Sequence, residues 1–314
     1  MADSTILAFF ISLLAGTVRL ATPILLPALG QIYTQRAGIL NLGTEGTMLM
    51  GAVCGFTVAS VTGSLWLGMA AGIMAGVAYS LIMAWLSVTM RANQVVAGIG
   101  MNILSTGLAV YIYRLVFGIR TLPPSVVPFP TVEIPVLSKI PVLGTILFSH
   151  NIIVYLTYVL VLPFSWFVLE KTTFGLKIKA VGENPRAADS KGINVGLVRY
   201  LSVLIGGAYA GAGGAFMTIA YMNTFTEKII GGFGFIAVSV VIFARFKPIN
   251  AMFGALLFGM AQALQLRLQA QGVGIPSQFL LMMPYIMTII ALVIASKKAE
   301  FPSAYTIPYS RMER

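Results

Sequence analysis

The stretch RAGILNLGTEGTMLMG, residues 36–51, holds the side chains with the clearest capacity for chemistry. Asn41 and Glu45 stand there among Gly38, Gly43, Gly46 and Gly51, in a run that is otherwise apolar. A carboxylate inside an apolar segment costs about 2.5–3.5 kcal/mol on insertion. Glycines weaken a helix, and non-helical backbone at membrane depth needs cover from protein or a water-filled cavity. The expectation is that 38–46 breaks a span and faces a polar cavity near mid-membrane. The alternative is tight packing through small residues, which accounts for the glycines but not for Asn41 or Glu45. Arg19 is the candidate partner of Glu45. Helix rise puts Arg19 about 25 Å from the level of Arg36, and Glu45 only about 13 Å if that stretch is helical. The two meet only if the glycine stretch unwinds or the spans tilt strongly; otherwise Arg19 lines an outer cavity or snorkels outward.

Other polar groups fall in apolar runs. Asn102 is followed by Ser105 and Thr106, and Gln262, Gln265 and Gln269 recur on one helical face. Uncharged hydrogen-bonding side chains suit a polyhydroxylated or heteroaromatic solute better than an ion; interhelical hydrogen bonding is the alternative for each. Two further glycine-rich places, AGAGGAF at 210–216 and IIGGFGF ending at 235, lie in the other half. Interrupted segments in both halves point to a transport site between them.

Several chemistries are excluded. No Gly-Lys dipeptide occurs, so the chain has no phosphate-binding G-x-x-x-x-G-K-[ST] loop. One His and one Cys rule out an H-E-x-x-H centre and Cys/His metal sites. His150 falls at an expected outer interface with no G-x-S-x-G elbow in the chain to serve. Cys54 has no disulfide partner and reads as a packing residue. A transport subunit is expected, not an enzyme. A single intramembrane carboxylate also argues against an ion-coupled secondary transporter, which stays as an alternative.

The elements that must position these residues are membrane helices. Of 314 residues, 58% are hydrophobic and only 9% charged, where a soluble domain carries roughly a quarter charged. The chain is expected to be an all-α integral membrane protein, one transmembrane domain over 1–314. Nine segments are read, near 12–34, 38–60, 64–90, 94–117, 150–169, 198–222, 233–246, 249–270 and 276–296. The second is broken, and the seventh is short and partly re-entrant. No Lys or Arg precedes the first apolar run, so it is read as mature chain and not a secretory signal. Pro-rich 118–149 is an external loop, and basic 170–199 a cytoplasmic one. Alternating outward from that loop leaves Arg114, Arg120, Lys139, Lys228 and Arg267 outside, with Arg19 inside a span. Most of the 20 basic residues, including Arg36, Arg91, Lys297, Lys298, Arg311 and Arg314, fall inside. This sets the N-terminus outside and the C-terminus in the cytoplasm. It also explains the net charge of +11 without nucleic acid. Trp66, Trp85 and Trp166 fall at span ends, as interfacial rings should.

Within the cytoplasmic loop, GENPRAADSKGI (182–193) reads as a self-contained short helix. Asn184 is a good N-cap, Pro185 suits the first helical position, and Gly192 suits the residue after the end. Such a helix could dock to a soluble partner.

RAGILNLGTEGTMLMGA together with GENPRAADSKGINV resembles the permease subunits of bacterial ABC importers for nucleosides, in the group that also holds ribose and branched-chain amino acid permeases. The resemblance covers nearly the whole chain. It implies that 182–193 is a coupling helix seated in an ATP-hydrolysing subunit, with Glu183, Asn184, Pro185, Arg186, Ala187, Ala188, Gly192 and Ile193 carrying the contact. Arg186 stands where an acidic residue is more usual, which puts a charge contact there in doubt. It implies a second permease, often forming a heterodimer, of which this chain resembles the shorter member. It also implies an extracytoplasmic solute-binding protein and a home in the bacterial inner membrane. No cofactor is expected on this chain; ATP and Mg belong to the partner. Asn41, Glu45, Asn102, Arg19, Gln262 and Gln265 would then line or support the solute path. A simple sugar is the alternative solute.

Overall fold

The computed structural model describes residues 2–119, 123–133, 138, 140, 142–272, 276–296 and 301–310. Of the basic residues named above, Arg120, Lys139, Lys297, Lys298, Arg311 and Arg314 lie outside them. Helix α1 (Ala2–Arg36) is followed by α2 (Thr44–Thr62), α3 (Leu65–Ala84) and α4 (Gln94–Phe117). A two-stranded antiparallel ribbon, β1 (Thr131–Glu133) with β2 (Ser149–Asn151), encloses the short α5 (Leu143–Leu147). Then come α6 (Ile152–Tyr155), α7 (Leu162–Lys171), α8 (Thr173–Glu183) and α9 (Pro185–Ser190). Helices α10 (Val195–Phe216), α11 (Phe233–Phe243), α12 (Pro248–Ala270) and α13 (Ser277–Ser296) complete the chain. Wide π turns extend α3 over Trp85–Thr89 and α10 over Met217–Tyr221, and a third joins α6 to α7.

Each of the nine expected segments has a helical counterpart. Among the described residues, six continuous helices are long and apolar enough to cross a membrane: Phe9–Arg36, Leu65–Thr89, Gln94–Phe117, Ile152–Lys171, Val195–Tyr221 and Pro248–Ala270. Helix α2 is not among them: Thr, Gly and Glu45 dilute its apolar character, and most of it is buried inside the protein. Phe233–Phe243 has 11 residues, about 16 Å of helix, half of a bilayer core.

The two halves share a plan. In each, a long helix (α1, α10) is followed by non-helical chain and a second helix (α2, α11) that opens on it. Helix α1 packs along α12, and α10 packs correspondingly along α3. These long helices also pack on each other, so the core lies at their crossing, around Ile24, Leu29, Met48, Phe56 and Phe258.

Two sequence expectations need correction here. The second span does not begin at 38: the break covers 37–43, and Glu45 and Gly46 are already helical. Residues 210–216 do not interrupt their helix either; they lie inside α10. Their glycines give close approach: a Cβ at Gly214 would overlap the Met48 carbonyl oxygen, and one at Gly211 the Gly72 carbonyl oxygen. Backbone-to-backbone contact of this kind gives membrane helices van der Waals packing where no hydrophobic drive separates lipid from protein. The actual break in the second half is 222–232, ending in Gly231 and Gly232 with φ +54° and +90°.

Candidate functional site

The break between α1 and α2 is filled by the protein's own polar groups. Asn41 is only 2% exposed, and its Oδ1 accepts the Gly43 N–H at 2.9 Å. Gln31 reaches from the last turns of α1 to donate to the Asn41 carbonyl at 3.2 Å and to the Thr44 hydroxyl. From α4, Gln94 Oε1 accepts the Leu40 N–H at 2.8 Å. Asn102 spans the end of the break: its Nδ2 donates to the Leu42 carbonyl at 3.0 Å, and its Oδ1 accepts the Gly46 N–H at 2.8 Å. Asn102 lies about 12 Å along α4 from Gln94. The non-helical chain therefore climbs beside the first two turns of α4. Buried backbone groups must find partners somewhere, and here side chains of three helices supply them.

Glu45, in the first turn of α2, does not pair with Arg19. Its Oε1 accepts the Gly232 N–H at 2.8 Å and its Oε2 the Gly234 N–H at 2.7 Å. It thereby caps α11, whose N-terminus has no side-chain cap of its own from Gly232. A carboxylate there meets both the orphan N–H groups and the positive end of the helix dipole. The approach depends on Gly234, since a Cβ at that position would sit 2.6 Å from the Glu45 Cα. Sequence reasoning singled out Glu45 and the 229–235 glycines but did not join them.

Arg19 lies apart, on the alternative foreseen for it: it lines a cavity of about 480 Å³ bounded by α1, α12, the β1–β2 ribbon and the end of the α10 π turn. Its guanidinium stands over the Tyr221 ring at 5.3 Å. Gln262 is half-buried and Gln265 buried on α12; among the described residues no hydrogen bond joins either to the break.

His150, expected at the outer membrane interface, lies in β2 and is buried within the protein at 4% exposure, with Nε2 2.8 Å from the Ile146 carbonyl. Tyr155 Oη rivets the ribbon, accepting the His150 N–H and donating to the Val132 carbonyl, each at 3.1 Å. Burial, with Arg19 as a further cause, holds the imidazole pKa below its usual 6.5. As pH falls through about 6.5, the unfolded chain takes up a proton that the native ring still refuses, so stability is full above that pH and declines below it. The protection factors of the β1 and β2 amides, which take out the intrinsic slowing of exchange in acid, should fall between pH 7 and 5. The fall should vanish in His150→Phe; an equal fall in that variant would refute it.

The short helix of the basic loop forms as its caps require. Asn184 Oδ1 accepts the Ala187 N–H at 3.0 Å, Pro185 opens α9, and Gly192 follows its end with φ +80°. Glu183 belongs to the end of the preceding α8, not to α9. Asn184, Arg186, Ala187 and Gly192 are exposed, and Pro185 and Ile193 half-buried. Ala188 is turned into the protein at 3% exposure, so it seats the helix and does not present a contact face.

This helix is tied to the break by two routes. Gly182 lies so close to Arg36 that a Cβ would overlap the Arg36 carbonyl oxygen. The Arg36 guanidinium pairs with Glu170 at 2.8 Å, and Glu170 with Lys179 at 2.7 Å. The segment at 302–307 forms the second route, a strap. Ala304 N–H donates to the Gly182 carbonyl and Thr306 N–H to the Gly38 carbonyl, both at 2.9 Å. Ser303 Oγ donates to Glu183 at 2.9 Å, and buried Arg199 to the Ile307 carbonyl at 3.1 Å. A displacement of α8–α9 thus reaches residues 36–38, where the break begins. Neither the strap nor α8 was visible as a separate element in the sequence.

Comparison with known proteins gives a consistent picture. The family model for the branched-chain amino acid transport system / permease component matches residues 13–292. The guanosine ABC transporter permease protein NupQ of Bacillus subtilis is 39% identical, over 95% of this chain and 96% of its own. The nucleoside ABC transporter permease protein NupC of Lactococcus lactis is 36% identical over the same shares, 95% and 96%. A putative glucose ABC transporter permease protein, TsgC13 of Haloferax volcanii, is 40% identical over 84% of this chain and 80% of its own. No solved structure matches.

Proposed function

The chain belongs to the branched-chain amino acid transport system / permease component family, and from that premise we propose that it forms the path for nucleosides through an ATP-driven importer. It is a multi-pass protein of the inner membrane and a transport component, not an enzyme. What carries the nucleoside reading is identity of 36–39% with a nucleoside and a guanosine permease along nearly the whole of each chain. The glucose relative keeps a sugar as the second reading.

Membership implies an ATP-hydrolysing subunit and a solute-binding protein as partners. We place α9 in the groove of the ATPase, with Arg186 and Ala187 facing it, and ATP and Mg on that partner. A second, homologous permease completes the path. The N-terminus is set outside and the C-terminus in the cytoplasm, with nine segments in the membrane. In this reading Asn41, Glu45 and Asn102 hold the shape of the path wall through its backbone, and Gln262 and Gln265 offer hydrogen bonds from α12. Affinity for solute along such a wall stays low, because tight binding would stall release.

The test is ATP turnover in proteoliposomes holding the chain, its permease and ATPase partners and the binding protein. Nucleosides should raise turnover and simple sugars should not; the reverse would keep the architecture and replace the solute. Ala187→Arg adds a charge on the exposed face of α9 without disturbing a core contact. A desolvated, unpaired charge at an interface costs several kcal/mol, so stimulation should fall roughly tenfold or more. Full stimulation in this variant would remove α9 from the interface.

A further inference from the structure

We propose that the outer cavity lined by Arg19 is a binding site for a phosphate-type oxyanion, carried either by a soluble molecule or by a phospholipid headgroup. Arg19 on α1 and Arg267 on α12 line this one cavity of about 480 Å³ from two helices packed side by side. No Asp or Glu is among the described residues that line it. Among the described residues, neither guanidinium has a carboxylate within ion-pair distance. Each instead lies over an aromatic ring, Arg19 over Tyr221 at 5.3 Å and Arg267 over Phe9 at 5.5 Å. A ring face attracts a cation through its quadrupole, but it takes none of the five N–H donors that a guanidinium offers in the ring plane's neighbourhood.

Cations on membrane-spanning helices normally pair with one another's counter-charges or mark a pathway. Here two of them line one cleft, and no carboxylate is among its described lining residues. His150 adds no charge to offset them, and its Nε2 is occupied by the Ile146 carbonyl. Thr131, Thr145 and Ser149, each with a hydroxyl, also line it. Two guanidiniums and several hydroxyls match a tetrahedral oxyanion, whose oxygens accept from several directions at once. The volume exceeds what a bare phosphate fills, so the anion is expected to carry an organic group. A nucleoside is neutral, so this site is additional to the solute path proposed above and does not depend on it.

The experiment uses the assembled complex in detergent and in nanodiscs. Inorganic phosphate and a nucleoside monophosphate are titrated while thermal unfolding is followed. Nanodiscs of phosphatidylglycerol and of phosphatidylcholine are compared, with native mass spectrometry of retained lipid. The wild type should bind one of these probes, and Arg19→Gln or Arg267→Gln should each weaken it about tenfold, the loss of one charge-assisted contact. Binding of phosphate or the monophosphate assigns a soluble oxyanion. Retained phosphatidylglycerol, lost in both variants, assigns a headgroup. The proposal is overturned if the wild type responds to none of the probes, or if the double variant binds as the wild type does. Nucleoside-stimulated ATP turnover, measured on the same samples, reports separately on the transport reading.

Discussion

Replacing Glu45 by Ala should destabilise the protein by about 3 kcal/mol and abolish uptake. Each hydrogen bond to an ionised group contributes about 1.5–3 kcal/mol, and Glu45 makes two, to the Gly232 and Gly234 N–H groups. Without the carboxylate, the first turn of α11 keeps orphan donors where α2 covers them, and no neighbouring side chain of α11 caps in its place. Glu45→Gln keeps one acceptor and should retain about half of the stabilisation; Glu45→Asp should fail to reach. Amide exchange at Gly232 and Gly234 reads this directly, in the absence of any solute. Wild-type protection in Glu45→Ala would disprove the capping role. If Glu45 instead acted only by touching the solute, the Gln variant would change the apparent affinity for nucleoside and leave those amides unaltered.

Gly182→Ala is expected to disconnect α9 from the break. The added methyl would overlap the Arg36 carbonyl oxygen, which is backbone and has no rotamer to turn aside. Overpacking of this sort costs typically 1–3 kcal/mol, and here α8 must also move away from α1, straining the Ala304 bond to the Gly182 carbonyl. The ATPase should still copurify, since the exposed face of α9 is unchanged, but nucleoside should no longer stimulate turnover. Gly192→Ala is the informative comparison: nothing lies within 4 Å of its position, and only the φ of +80° resists a side chain. That strain is worth about 1–2 kcal/mol, and stimulation should largely survive. Equal behaviour of the two variants would mean that the contact between Gly182 and Arg36 transmits nothing.

Much of this was legible in the chain itself. Apolar runs long enough to span lipid, the break near Asn41 and the boundaries of α9 follow from hydropathy and from cap residues at fixed spacing, all of which are local. Helix rise left the pairing of Arg19 with Glu45 open, since the stretch between them does unwind over 37–43; only the folded positions of Gly232 and Gly234 decide it. The partner of Glu45 was not legible, because the Gly232 and Gly234 N–H groups are nearly two hundred residues away and backbone donors carry no residue signature. The same limit hid Asn102 as the clamp on Leu42 and Gly46, and the strap that joins Gly38, Gly182 and Arg199. Glycines at 210–216 read alike whether they break a helix or admit another backbone; only the approach of Met48 and Gly72 decides for packing. Ala188 and Ala187 are adjacent and chemically identical, and the seating of α9 against the body alone turns one inward and the other out. Sequence determined which segments are apolar helices and, where cap residues mark the ends as in α9, where they stop, since transfer from water and end-capping act on each segment separately. Tertiary structure decided what the polar residues do once there, because a buried donor or acceptor is defined by the partner that folding brings to it.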